Sequence, residues 1–216
     1  MILRELDLDI PNLDKDRRYE FSNQVRSVAA HYYSYLPSKF KTNGFWKILI
    51  ECVDEASTSD VYLEVKVVKV TFNYEVYQKQ DKHSKKKTIL DTLHEGVIKA
   101  CEEEGWKQDT FQHCYEQVLN DEFYFSWLFK KPKKSKNRAL IAEVSCLHDI
   151  DAFTMSLEVK NLDGEIIYTE EVFSTEPNEF IFAQLLGDFK WVSNEKIEFY
   201  DKSKNCIADI VISHKT

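Results

Sequence analysis

Glycine and proline are scarce: 216 residues hold five of the first and four of the second. That is too few for a low-complexity or disordered chain. No apolar run approaches the length needed to span a bilayer, so no membrane segment is expected. The opening Met1-Ile2-Leu3-Arg4-Glu5-Leu6-Asp7 is too acidic and too interrupted for a signal peptide, and residence in the cytoplasm is the default expectation. Phosphate-binding loops of the Gly-x-Gly or Gly-Lys-Ser/Thr kind are missing, as is a Ser-centred nucleophile elbow. The five cysteines, Cys52, Cys101, Cys114, Cys146 and Cys206, form no Cys-x-x-Cys pair, which leaves out a zinc knuckle or a thioredoxin-type motif. They read as small hydrophobes in a reducing compartment. His94-Glu95 begins like a zinc-protease helix, but Ile98 stands where the second histidine is required. The sequence therefore offers no metal, cofactor or catalytic motif.

What it does contain is the substance of a folded core, with 43% hydrophobic and 13% aromatic residues. Its length suits one large domain or two small ones. The charge is uneven. Against a net −8, residues 79–87 carry +4 and residues 130–138 carry +6, leaving −18 on the rest. An acidic body with two short basic loops repels nucleic acid over most of its surface and attracts a basic partner. The loops lack the interleaved aromatics of a single-strand binding platform, so neither nucleic acid nor membrane is expected as a partner.

The organising stretch is residues 88–119. Ile89, Leu93, Val97, Ala100 and Cys101 recur at helical spacing after Thr88 as cap. Gly105 suits the left-handed position that ends a helix. A second helix follows from Asp109, with Phe111, Tyr115, Val118 and Leu119 on one face. On either side lies β-type sequence. Before the pair, a helix from Asp14 or Asp16 carries Phe21, Val25, Val28, Ala29 and Tyr32, then alternating strands are expected at 46–52, 61–67 and 70–76. After it, strands are expected at 123–129, 140–146 and 153–159, with a turn at Asp163-Gly164. A short helix from Thr175-Glu176-Pro177 to Gly187 and a last antiparallel pair around residues 201–204 complete the chain.

The two flanks echo one another. Gln24-Val25 matches Gln117-Val118, Tyr32-Tyr33-Ser34-Tyr35-Leu36 matches Tyr124-Phe125-Ser126-Trp127-Leu128, and Leu63-Glu64-Val65-Lys66 recurs as Leu157-Glu158-Val159-Lys160. These collinear matches predict an α+β fold of two diverged α-β-β-β-β-α halves with antiparallel sheets, residues 1–105 and 106–216, plus a C-terminal β-hairpin.

Two kinds of functional residue stand out. Glu102, Glu103, Glu104 and Glu116 lie near Trp106, a tryptophan just past a helix end, and together they form a candidate partner-binding surface. His94, His113 and Glu116 are the first residues to test for a dispersed acid–base site, with His113-Cys114 and His148-Asp149 near Asp151 as further polar clusters. A helix ending in Gly105-Trp106, a second helix with Phe111 and Tyr115, β-hairpins, and Leu186-Gly187 before Trp191 resemble some bacterial polymorphic-toxin immunity proteins over the second half of the chain. The resemblance implies a non-enzymatic cytoplasmic inhibitor that holds a cognate toxin, often a nuclease, in an inactive complex. An enzyme with a scattered site, and an adaptor or phage-encoded inhibitor, remain the alternatives.

Overall fold

The computed structural model describes residues 1–56 and 58–212. The chain is α+β and divides into two compact units, Met1–Phe125 and Ser126–Thr216.

In the first unit, β1 (Glu5–Asp9) leads into α1 (Lys15–Ser34), β2 (Lys47–Val53), β3 (Asp60–Tyr62) and β4 (Val65–Thr71). Asp14 caps α1, its carboxylate accepting from the backbone N–H of Asp16 and Arg17. The strand order is β1-β2-β4-β3. β1 and β4 both run parallel to β2, and only the short edge strand β3 is antiparallel. Leu6, Leu8, Ile48, Ile50, Cys52, Val68 and Val70 are buried on one face. Then come α2 (Tyr74–Gln78), α3 (Lys82–Glu104) and α4 (Asp109–Asn120).

Several expectations shift here. The alternation of Val70, Phe72, Tyr74 and Val76 is not a strand throughout: Asn73 accepts a hydrogen bond from the N–H of Val76 and starts α2. The lysine run at 82–87 is no loop but the first turns of α3, which Asp81 rather than Thr88 caps. Lysine is a good helix former, and Asp81 meets the N–H of Ser84. Gly105 ends α3 at φ 67°, in the left-handed region as expected.

The second unit carries β5 (Ser126–Leu128), β6 (Lys133–Lys134), β7 (Ile141–His148), β8 (Phe153–Lys160) and β9 (Ile166–Thr175), then α5 (Glu179–Leu185), β10 (Asp188–Trp191), β11 (Lys196–Tyr200) and β12 (Cys206–Val211). One antiparallel sheet has the order β5-β7-β8-β9 with β6 on β7, and a second has the order β10-β11-β12. β11 and β12 are the expected last pair. Residues of β7, β8, β10, β11 and β12 share one apolar cluster with Phe182 of α5, whose ring stacks on Phe153 at 3.9 Å. Two sheets of alternating pattern have buried their apolar faces together.

The expected duplication is not found. The first sheet is mainly parallel and the second antiparallel. The matched peptides also take different structures: Tyr32 to Ser34 end a helix while Ser126 to Leu128 form a strand. Leu63 and Glu64 make a turn with φ of 49° and 62°, while Leu157 and Glu158 lie inside β8. Nor does the boundary fall at residue 105. α4 belongs with the first unit, because the hydroxyl of Tyr32 donates to the carbonyl of Phe111 at 2.9 Å and Phe40 packs edge-on against Phe111. Among the described residues, no helix is long and apolar enough to cross a membrane.

Candidate functional site

The residues singled out around the end of α3 separate into two groups. A helix turns about 100° per residue, so the three consecutive glutamates cannot all face one way. Glu103 and Glu104 reach Lys66 of β4, each with a carboxylate oxygen 2.7 Å from its ammonium. Lys66 is 5% exposed. Ser59 donates to Glu103 at 2.7 Å and Asn43 to Glu104 at 2.9 Å. Burial alone would raise both carboxyls, but the hydrogen bonds from Lys66 and these two side chains hold them below the usual range. Their charge is therefore spent on fastening α3 to the sheet. Glu104 is largely withdrawn from solvent; Glu103 keeps partial exposure.

Glu102 and Glu116 take the other direction. Both are exposed, and they lie along the seam where α3 and α4 meet. The side-chain amide of Gln108 donates to Glu102 at 3.3 Å, and that of Gln112 to Glu116 at 2.9 Å. These amides orient the carboxylates without cancelling their charge. Further along the seam, the hydroxyl of Tyr115 donates to Asp91 at 2.8 Å. Trp106 is half-buried, packed on Phe40 at 5.0 Å and near Phe45 and Phe111. Its ring props the helix corner, and only part of it faces outward.

His94 also lies on the seam, joined to Glu116 through Gln112. Because Gln112 gives its N–H to Glu116, its carbonyl oxygen faces His94 and accepts from Nε2–H at 3.1 Å. On the other side of the ring Nδ1 lies 2.9 Å from the Tyr32 hydroxyl. Burial lowers the His94 pKa, although the bond to Gln112 works the other way. Both ring nitrogens are engaged, and His113 is exposed and outside this chain of bonds. The three residues thus do not converge as an acid–base set. Cys114 is buried, its thiol pushed up to about 11 by burial and bonded to the carbonyl of Thr110. His148 is buried under Phe182 and its Nε2–H donates to the carbonyl of Pro177 at 3.0 Å. No group of three His, Cys, Asp or Glu side chains is placed to hold a metal among the described residues.

One cluster had no local signal in the sequence. His31 of α1, 3% exposed, donates from Nε2 to Asp121 at 2.8 Å and stacks on Phe125 at 4.7 Å. Tyr35 donates to the same carboxylate oxygen. Burial depresses the His31 pKa below 6.5, against the pull of Asp121. The unfolded chain therefore takes up a proton that the folded chain refuses. Stability from this group is complete above pH 6.5 and is lost as pH falls from there toward the lower folded value. His31→Gln should flatten the loss in urea midpoint between about pH 7.5 and about pH 5.5. An undiminished slope would assign the acid lability to other groups, His94 first.

Comparison of the chain with protein-family models, with curated proteins and with solved structures returns no match.

Proposed function

We propose that the chain is a non-enzymatic binding protein of the immunity type, acting in the cytoplasm by holding a basic protein partner, a toxin domain, through the carboxylates of the α3–α4 seam. One observation carries this reading. Glu102 and Glu116, fourteen positions apart, come to one exposed seam and are each oriented by a neutral glutamine amide. Carboxylates presented in this way steer a basic surface toward the seam and lose that effect in salt. Trp106, packed within its aromatic cluster, would stiffen the corner from which Glu102 projects. Glu103 and Glu104 serve the same surface at one remove, by anchoring α3 through Lys66.

The test is kinetic. With a partner recovered by affinity capture and purified, association should slow about threefold to tenfold at low salt for the double variant Glu102→Gln, Glu116→Gln. The difference should close as salt rises. An unchanged rate and an unchanged salt slope would place the interface elsewhere. Turnover of a small molecule, lost with His94→Gln, would replace this reading with an enzymatic one.

A further inference from the structure

The hairpin of β3 and β4 presents a run of apolar side chains that its own unit does not cover. Val61, Tyr62 and Leu63 are 56%, 70% and 76% exposed, three in succession. β3 is the last strand of its sheet and pairs with β4 on one side only. Tyr62 and Val65 are partners flanking a two-residue loop, Leu63-Glu64. Such a closing pair exchanges both of its backbone bonds, so the N–H and C=O of Val61 are directed to the open edge.

The loop is unusual in composition. Both of its residues have positive φ, 49° at Leu63 and 62° at Glu64, a region that side chains with a Cβ avoid and that Asn-Gly pairs normally fill. A large apolar side chain in that position, turned outward, contributes nothing to the core. Conformations of this kind cluster at ligand clamps and switch regions. The surroundings are acidic. Asp60 and Glu64 are exposed at the two ends of the run. From residue 54 to residue 64 the sequence has four carboxylates and no basic residue.

We infer that the β3 hairpin is a docking edge for an extended, lysine- or arginine-rich segment of a protein partner. The segment pairs its backbone with Val61, packs apolar residues on Val61, Tyr62 and Leu63, and sets its basic residues against Asp60 and Glu64. This rests on the reading of the chain as a binder of basic protein, and it adds which element docks and in what conformation the partner is held.

The probe is a labelled peptide of about twelve residues alternating arginine with valine. Its controls are the glutamate–valine counterpart and an arginine–valine peptide interrupted by prolines. Anisotropy titrations of the full chain should show binding of the first peptide alone, and hydrogen exchange at the Val61 amide should slow when it binds. The variant Leu63→Asn, Glu64→Gly gives the loop the residues its backbone favours, so its thermal midpoint should stay or rise. Its affinity for the peptide should nevertheless fall, and adding Tyr62→Ser should bring the loss to about tenfold or more. Failure of the arginine–valine peptide to bind, equal binding of the proline-interrupted peptide, or unchanged Val61 exchange would each overturn the inference. If these variants leave the purified partner's binding intact while Glu102→Gln, Glu116→Gln weakens it, the hairpin is excluded and the seam stands. Preference for the glutamate peptide would overturn both.

Discussion

Val159→Asp should destabilise the second unit by about 3 kcal/mol or more, while Val65→Asp should cost about 1 kcal/mol or less. The contrast matters because both valines sit in the same tetrapeptide, Leu-Glu-Val-Lys. Val159 is 0% exposed, paired across the sheet with Ala142 and Tyr168 and enclosed by the apolar cluster of the two sheets. A carboxylate enclosed by that cluster gives up its hydration without return. Val65 begins its strand just after the left-handed turn, half-buried, with Lys47 as its register partner on β2. A carboxylate there keeps its water, although Lys47 is already held by Glu5 and Asp7. Urea unfolding of the two variants followed in parallel is the measurement. Equal losses would mean that the two peptides occupy equivalent environments after all.

That pair also marks how far sequence reading reaches. Where a pattern is long and its phase unambiguous, as in α1 with Phe21, Val25, Val28, Ala29 and Tyr32 or in β7 and β8, the buried residues are those the spacing selects. In Val65-Lys66-Val67-Val68-Lys69-Val70 two phases compete. The structure buries Lys66, Val68 and Val70, which only the match of Lys66 to two distant glutamates makes affordable. Alternation fixes which face a residue takes and not the direction of the neighbouring strand, so the parallel pairing of β1, β2 and β4 was not legible. It depends on α1 carrying the chain back between β1 and β2. The candidate site was legible in part. Glu102 and Glu116 could be found because their helices were, but the rotation that turns Glu103 and Glu104 toward Lys66 could not. His31 and Asp121 are ninety residues apart, and no local pattern joins them.

In the middle of α3 the helix comes close to the sheet at Gly96, and Gly96→Val should be strongly destabilising. A Cβ added at Gly96 would stand 2.3 Å from Cγ1 of Ile50 and 2.9 Å from its Cγ2. Ile50 is 0% exposed on a strand with neighbours on both sides, so its side chain has little room to turn away. Glycine inside a helix is itself unfavourable by up to about 1 kcal/mol relative to alanine. Gly96→Ala would therefore stabilise an open helix, yet here overpacking should reverse the sign, for a net loss of about 1–3 kcal/mol. Valine, larger and branched, should exceed that. Ile50→Ala alone leaves a cavity and should cost about 2–5 kcal/mol. Combined with Gly96→Ala it supplies the missing space, so the double variant should lose less than the two single losses added together. Strict additivity in urea midpoints would show that contact with Ile50 is not what requires glycine at residue 96. The same cycle reads on the seam, since α3 carries Asp91, His94 and Glu102 on its outer side. A Gly96→Ala chain that folds with α3 displaced should bind the basic partner more slowly, and adding Ile50→Ala should restore the rate even though the double variant stays less stable than the parent chain.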